Sequence, residues 1–295
     1  MKQIAVISGK GGTGKTSISA SFVALARDCI IVDADVDGPD LHLLLHPLVN
    51  KVEKFFAGEV AVIEPKLCDR GRRCEPYCRY GAIIFDTDGD FYIDPTACEG
   101  CGVCARICHT KAIKMKQRGC GEWYLSSTVY GPMLHATLGI GGENSGKLVA
   151  LLREKAREIS EKENYPFIII DGPPGVGCPV MAAITGVDVI VAVAEPTVSG
   201  RHDLHRVIHL ARHFGITLSV VINKSDINLD MTTRLRRECE AHKVEVLGEI
   251  PYDKDVIGAI VHGETLVDFS DGPAGIAVSE VWDKLCEAIE RVGKR

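Results

Sequence analysis

The 295-residue sequence has no apolar run long enough to span a bilayer. Stretches such as Phe167–Ile170 are strand-length, whereas a transmembrane helix needs ~20 residues. Signal-peptide anatomy is missing as well, because Met1-Lys2-Gln3-Ile4-Ala5-Val6 leads directly into a strand pattern. Positive charge is not in excess: 34 Lys and Arg against 40 Asp and Glu give a formal net charge of −6, so the surface as a whole does not attract nucleic acid. These absences predict a cytoplasmic protein with neither nucleic acid nor membrane as a partner. The 46% hydrophobic and 25% charged content is that of an ordinary globular chain. Its length suits one large domain, or one domain carrying a small insert.

Cysteine, by contrast, is plentiful. Seven of the 12 cysteines fall between Cys68 and Cys108, with Cys29, Cys120, Cys178, Cys239 and Cys286 scattered. In a reducing compartment such a local cluster points to metal ligation rather than disulfides.

Outside that stretch, strands alternate with amphipathic helices. Near-continuous apolar runs predict strands at Gln3–Ser8, Cys29–Asp33, Phe167–Asp171, Val189–Ala194, Leu218–Asn223 and Glu245–Ile250, as in a parallel sheet covered on both faces. Helical patterns lie near Thr16–Arg27, Lys147–Lys162, Arg201–Phe214, Met231–His242 and Ile276–Val292. The fold class this predicts is α/β, a doubly wound, mostly parallel sheet. The alternation breaks between 65 and 118. There an internal repeat appears: Cys68, Cys74, Cys78, Ala82 and Ile83 reappear 30 residues on as Cys98, Cys104, Cys108, Ala112 and Ile113. Ile83–Phe85 and Phe91–Ile93 flank Asp88-Gly89, a hairpin turn signal. The expected organisation is a discontinuous domain, 1–64 and 119–295, with an insert at 65–118.

Gly9-Lys10-Gly11-Gly12-Thr13-Gly14-Lys15-Thr16 follows the first strand and opens a helix. Glycines there let successive backbone N–H groups turn toward phosphate oxygens, and the helix N-terminus adds partial positive charge. Lys15 is expected on the β- and γ-phosphates and the Thr16 hydroxyl on Mg²⁺. A second match, Gly141 with Gly146-Lys147, is discounted: Leu148 replaces the hydroxyl residue and no apolar strand precedes it. Asn144-Ser145 reads instead as a helix cap.

The additional Lys10 resembles the signature lysine of the deviant Walker A ATPases: MinD, ParA, and the Mrp and nitrogenase iron-protein relatives. The resemblance implies a nucleotide-completed homodimer in which Lys10 crosses to the partner's nucleotide. It places Asp33 near the Mg²⁺ shell, Asp35 on the attacking water, and Asp171 on a metal-bound water. Gly172-Pro173-Pro174-Gly175 would be the second switch, and Asn223, in Asn223-Lys224-Ser225-Asp226, would meet adenine. Tyr130-Gly131-Pro132-Met133, Glu195-Pro196-Thr197 and Ile250-Pro251-Tyr252-Asp253 extend the likeness along the chain, with Pro251 expected near the nucleotide.

Cys98-x₂-Cys101-x₂-Cys104-x₃-Cys108 has bacterial-ferredoxin spacing, in which the fourth cysteine serves the other cluster. The rival reading is zinc, whose motifs usually pair two short knuckles instead. The repeat offset assigns Cys98, Cys101, Cys104 and Cys78 to one complete 4Fe–4S site. The second set, Cys68, Cys74 and Cys108, has Gly71 where its fourth cysteine should be. It could hold a 3Fe–4S cluster, a 4Fe–4S cluster with an iron on water or Asp69, or nothing. The whole pattern is similar to MinD-superfamily ATPases with an inserted α+β ferredoxin-like domain. That resemblance implies a slow, dimer- or partner-stimulated ATPase using ATP and Mg²⁺. Its work would be iron–sulfur or metallocofactor assembly and delivery to a client protein, or ATP-gated electron transfer to a redox partner. The alternatives are a MinD/ParA-like spatial-positioning ATPase and a ferredoxin-type carrier with a regulatory nucleotide site.

Three features are expected to be structural. Cys178 reads as a small buried thiol. His202, His205, His209 and His213 fall within an ~80° arc of one helix and read as a solvated face, with a surface metal site as the other option. The last helix carries Glu280, Asp283, Glu287 and Glu290 on its polar face, a poor match to anionic lipid, so it should pack on the sheet.

Overall fold

In the computed structural model, which describes residues 1–85, 91–139 and 145–292, unbroken apolar runs become buried strands and amphipathic stretches become covering helices. The chain begins β1 (Lys2–Ser8), α1 (Lys15–Ala26), β2 (Cys29–Asp33), α2 (His42–Leu45) and β3 (Leu48–Ile63). Then come β4 (Ile83–Phe85), β5 (Phe91–Ile93), α3 (Val103–Ile107), β6 (Ile113–Thr128), β7 (Gly131–Leu138) and α4 (Ser145–Glu163). The remainder is β8 (Phe167–Pro174), α5 (Cys178–Ile184), β9 (Val189–Ala194), α6 (Val198–Phe214), β10 (Thr217–Asn223), α7 (Leu229–Ala241), β11 (Glu245–Ile250), α8 (Asp255–His262), α9 (Leu266–Phe269) and α10 (Pro273–Val292).

Nine strands form one sheet in the order β11-β10-β9-β1-β8-β2-β7-β6-β3. β1 pairs in parallel with both β8 and β9, and β2 with both β8 and β7. The strand order therefore reverses around β1, and the carboxyl ends of β1, β2, β8 and β10 meet at such a reversal, where open α/β sheets bind ligands. Register aligns Asp33 on β2 with Asp171 on β8. β6 and β7 are joined by the two residues Val129 and Tyr130, which makes them an antiparallel pair.

Two compact units result. One comprises Met1–Glu53, Glu122–Thr137 and Ser145–Arg295; the other comprises Lys54–Gly121 with Leu138–Asn144. The second unit thus begins and ends beyond the 65–118 bounds drawn from the sequence, because β3 and β6, each 16 residues long, run through the boundaries. Neither strand, nor β7, was among the predicted strands. β3 is mostly exposed and carries Lys51, Glu53, Lys54 and Glu59, so it lacks the apolar continuity that marks a buried strand.

In the first unit, α10 buries Val278, Val281, Trp282, Leu285 and Ile289. The Trp282 ring lies 5.3 Å from Phe22 and 5.6 Å from Phe167. The amphipathic last helix is therefore a core element. No helix among the described residues is long and apolar enough to cross a membrane. In the second unit β4 and β5 pair antiparallel, Ile83 opposite Ile93 and Phe85 opposite Phe91. The proposed turn Asp88-Gly89 lies outside the described residues, as do Gly141 and Asn144 of the discounted loop and helix cap. α4 starts at Ser145.

Candidate functional site

The glycine-rich loop joins β1 to α1, and three of its glycines are structurally required, Gly12 by its φ of 78°. Gly14 has φ of 86°, and a Cβ there would stand 2.3 Å from the Asn223 amide nitrogen. At Gly9 a Cβ would lie 2.2 Å from that of Asp203 on α6. Gly11 and Gly12 face open space, and Thr13 is buried.

Beneath the loop lies a buried polar knot. Lys15 Nζ is 2.7 Å from Asp171 Oδ1, Thr16 Oγ1 donates to Asp171 Oδ2 at 2.9 Å, and Ser19 Oγ donates to Asp171 Oδ1 at 2.7 Å. Asp33 is fully buried beside it and accepts backbone N–H groups from Asp35 and Leu41 at 3.1 and 3.2 Å. Burial, reinforced by the Asp171 carboxylate, holds Asp33 well above the ordinary carboxylate range despite Lys15 and the two N–H donors. Asp35 is also raised, chiefly by burial. Two buried carboxylates thus lie beside one lysine, and the Thr16 and Ser19 hydroxyls each bond one oxygen of Asp171. These donors fit Mg²⁺, a hard cation that takes oxygen ligands and keeps several waters. Backbone bonds tie the strand ends together: Ala34 N–H to the Asp171 carbonyl joins β2 to β8, and Gly175 N–H to the Ser8 carbonyl joins the end of β8 to β1, each 2.8 Å.

Lys10 bonds within its own chain, to Glu195 at 2.9 Å and Ser199 Oγ at 3.3 Å. Lys224 holds the other Glu195 oxygen at 2.5 Å and the Gly12 carbonyl at 3.1 Å. Burial opposes ionisation of Glu195, but the two lysines outweigh it and keep its pKa below the usual value. Asn223 donates to the Thr13 carbonyl at 2.7 Å, buttressing the loop. It also lines a cavity of about 250 Å³ with Lys224, Pro251, Tyr252, Val256 and Ile257. An apolar wall with one amide at its edge suits a flat heteroaromatic base.

Ser19, Glu195 and Lys224 acquire roles that the sequence reading did not give them. Ser19 lies one helical turn past Lys15, and Glu195 ends a strand on the same sheet edge as Asp171. Those positions were the only signals available.

In the second unit the cysteines form their own small core. Cys98 is buried with Ala61, Ala82 and Ile113, and Cys74, Cys78, Cys104 and Cys108 pack against them. Burial pushes the Cys104 thiol up, and Cys98, Cys101 and Cys74 are close enough to add to that shift. Cys74 is likewise raised, by burial and then by Cys108 and Cys68. Burial acts upward on Cys108 too, yet its thiol ends below its ordinary value. The opposing donors are the Thr110 hydroxyl, 3.4 Å away, and the N–H groups of Thr110, Ala112 and Ile113. Among the described residues, no three His, Cys, Asp or Glu side chains are gathered to hold one metal ion.

That result covers the histidine stripe. His205 bonds Glu238 at 2.9 Å, and His202, His209 and His213 are exposed. Cys178, expected to be buried, is exposed at the first turn of α5. The apolar residues after it, Val180, Ala183 and Ile184, face the core instead.

The loop, the aligned carboxylates and the strand-order reversal define a nucleotide-binding P-loop protein. Residues 4–267 match the CobQ/CobB/MinD/ParA nucleotide-binding domain, and the chain belongs to that family of P-loop ATPases. An uncharacterized protein of Methanocaldococcus jannaschii is 33% identical over 290 residues, 97% of either chain. An iron-sulfur cluster carrier protein of Pyrococcus abyssi is 24% identical, spanning 98% of this chain and 87% of the relative. The fold is shared with septum site-determining MinD of Pyrococcus horikoshii, solved with Mg-ADP. The TM-score is 0.59 at 16% identity, covering 100% of this chain and 99% of the other.

Proposed function

We propose that this chain is an ATP-hydrolysing, dimer-forming switch coupled to an iron–sulfur cluster. It would serve cluster or metallocofactor assembly and delivery to a client protein, or ATP-gated electron transfer. The observation that carries the reading is one polypeptide holding both the Lys15–Asp171–Asp33 knot and a core built from cysteine thiols.

At the nucleotide site, Lys15 would leave Asp171 for the β- and γ-phosphates, freeing that carboxylate and Thr16 for the Mg²⁺ shell. Asp35, beside them, would orient water. Asn223 and Pro251 would border the base. Lys10 must release Glu195 before it can reach a second protomer's nucleotide.

The thiols fit a cluster better than a lone zinc ion. A cubane presents its irons at separate corners, so its ligands surround a volume, whereas zinc needs four donors converging on a point. N–H groups directed at Cys108 favour a thiolate, and hydrogen bonds to cluster sulfurs are among the determinants of potential. Cys98, Cys101, Cys104 and Cys78 would hold the complete 4Fe–4S cluster, which when bound supplies one-electron chemistry or is itself the cargo. The relatives named iron-sulfur cluster carriers support the same reading.

The test is anaerobic purification, followed by iron and sulfide analysis and by ATP hydrolysis with the cluster oxidised and reduced. Iron and sulfide should be present in equal amounts, and turnover should respond to the redox state. Protein free of iron, or hydrolysis indifferent to redox state, would refute the coupling.

A further inference from the structure

The second cysteine set lacks a thiol at Gly71, and the structure shows what stands there. A Cβ built on Gly71 would have the Asp69 carboxylate as its nearest neighbour, with Oδ2 at 3.1 Å and Oδ1 at 3.3 Å. The carboxylate therefore crowds the space that a side chain at Gly71 would enter. Its position is fixed twice: Oδ1 accepts the Gly71 N–H at 3.2 Å, and Oδ2 pairs with His109 Nε2 at 3.1 Å. His109 follows Cys108 directly, which draws Asp69 to the side of the set where Cys108 lies. Cys74 and Cys108 pack against the same small core, and Cys68 immediately precedes Asp69.

Resting on the iron–sulfur reading above, we propose that Asp69 supplies the fourth ligand of the second site, completing a Cys68–Cys74–Cys108–Asp69 set for a 4Fe–4S cluster. A carboxylate is a harder donor than a thiolate and suits iron in a sulfur cage less well. One iron of that cluster is therefore held less firmly than the other three. His109 is a positioning residue: ligating carboxylates are themselves hydrogen-bonded, and such partners orient them.

The experiment uses the full chain, purified anaerobically, with iron and sulfide counts and EPR as readouts. Wild type should carry about eight irons, as two four-iron clusters. Asp69→Ala should fall to about seven and develop the parallel-mode EPR signal of a reduced three-iron cluster, the species left when one ferrous iron departs. Adding Gly71→Cys to Asp69→Ala, which removes the carboxylate crowding that Cβ, should restore about eight irons and abolish the signal. Far-ultraviolet circular dichroism and ADP binding check that each variant is folded. Wild type with a three-iron signal or only about four irons would overturn the assignment, and so would Asp69→Ala indistinguishable from wild type. In each of those cases the complete site remains loaded and the coupled-cluster reading stands. No iron in any form would instead bring down that reading itself.

Discussion

Lys10 is restrained in its own chain by Glu195, which also grips Lys224 and through it the Gly12 carbonyl. A partly exposed ion pair is worth up to about 1 kcal/mol. Glu195→Gln should therefore lower the protein concentration at which ATP drives dimerisation by about fivefold. Sedimentation velocity with ATP and Mg²⁺ would show it, and an unchanged or raised threshold would mean that the pair imposes no restraint. Lys15 presents the opposite case. It pairs with the buried Asp171 carboxylate, so Lys15→Ala leaves that charge without its cation and should cost about 3–5 kcal/mol of stability. Urea unfolding in metal-free buffer is the appropriate measurement, and a loss below about 1 kcal/mol would contradict it. The Lys15 position was legible from the loop motif. The Lys10–Glu195 pair was not, because residues 185 positions apart meet only through the sheet.

At the level of elements, most strands read correctly are buried on both faces, such as β1, β2 and β9, whose residues are apolar almost throughout, while the part-exposed β4, β5 and β11 were legible from short apolar runs. β3 and β6 escaped because lysines, arginines and glutamates interrupt them, so neither apolar continuity nor clean alternation survives. β7 contributes His135, whose Nε2 lies 2.9 Å from Ser126 on β6 and whose ring stacks on Tyr124 at 4.9 Å. Burial first, and then the charge of His42, push its pKa down to about 4. An unfolded histidine takes up its proton near pH 6.5, whereas here the folded protein resists until about pH 4. Unfolding therefore binds a proton between those values, and acidification through that window should weaken the fold, with no further loss from this group below it. Urea midpoints across the window would reveal the slope. His135→Gln should flatten it, and an unaltered slope would assign the effect to other groups. β10 ends on Asn223, where the sequence suggested contact with a base. The fold adds a bond to the Thr13 carbonyl, worth about 0.5–1.5 kcal/mol. Asn223→Ala should thus weaken ADP binding about three- to tenfold in calorimetry; undiminished affinity would show that the loop needs no such support.

Across the whole molecule, the division into two units was visible as a break in strand–helix alternation and as a cysteine repeat. Its edges were not, because the long strands carry the chain through them without any Gly/Pro-rich linker to mark the passage. The phosphate loop announces itself by spacing, and Asp69 was already one of the options for the second cysteine set, but its contact with the Gly71 N–H and His109 depends on a turn that spacing does not encode. The Lys15–Asp171 pair has a consequence at this scale. Lys15 is already committed to Asp171 in a water-poor setting, so a bare nucleotide arriving there must compete with that carboxylate while a magnesium-borne one brings its own neutralisation. Apparent ADP affinity should climb with free magnesium and drop at least about tenfold in excess EDTA; equal binding in both buffers would count against this. On the function proposed above, such a chain would admit fuel and counter-ion together, which would make the magnesium supply a co-author of its switching.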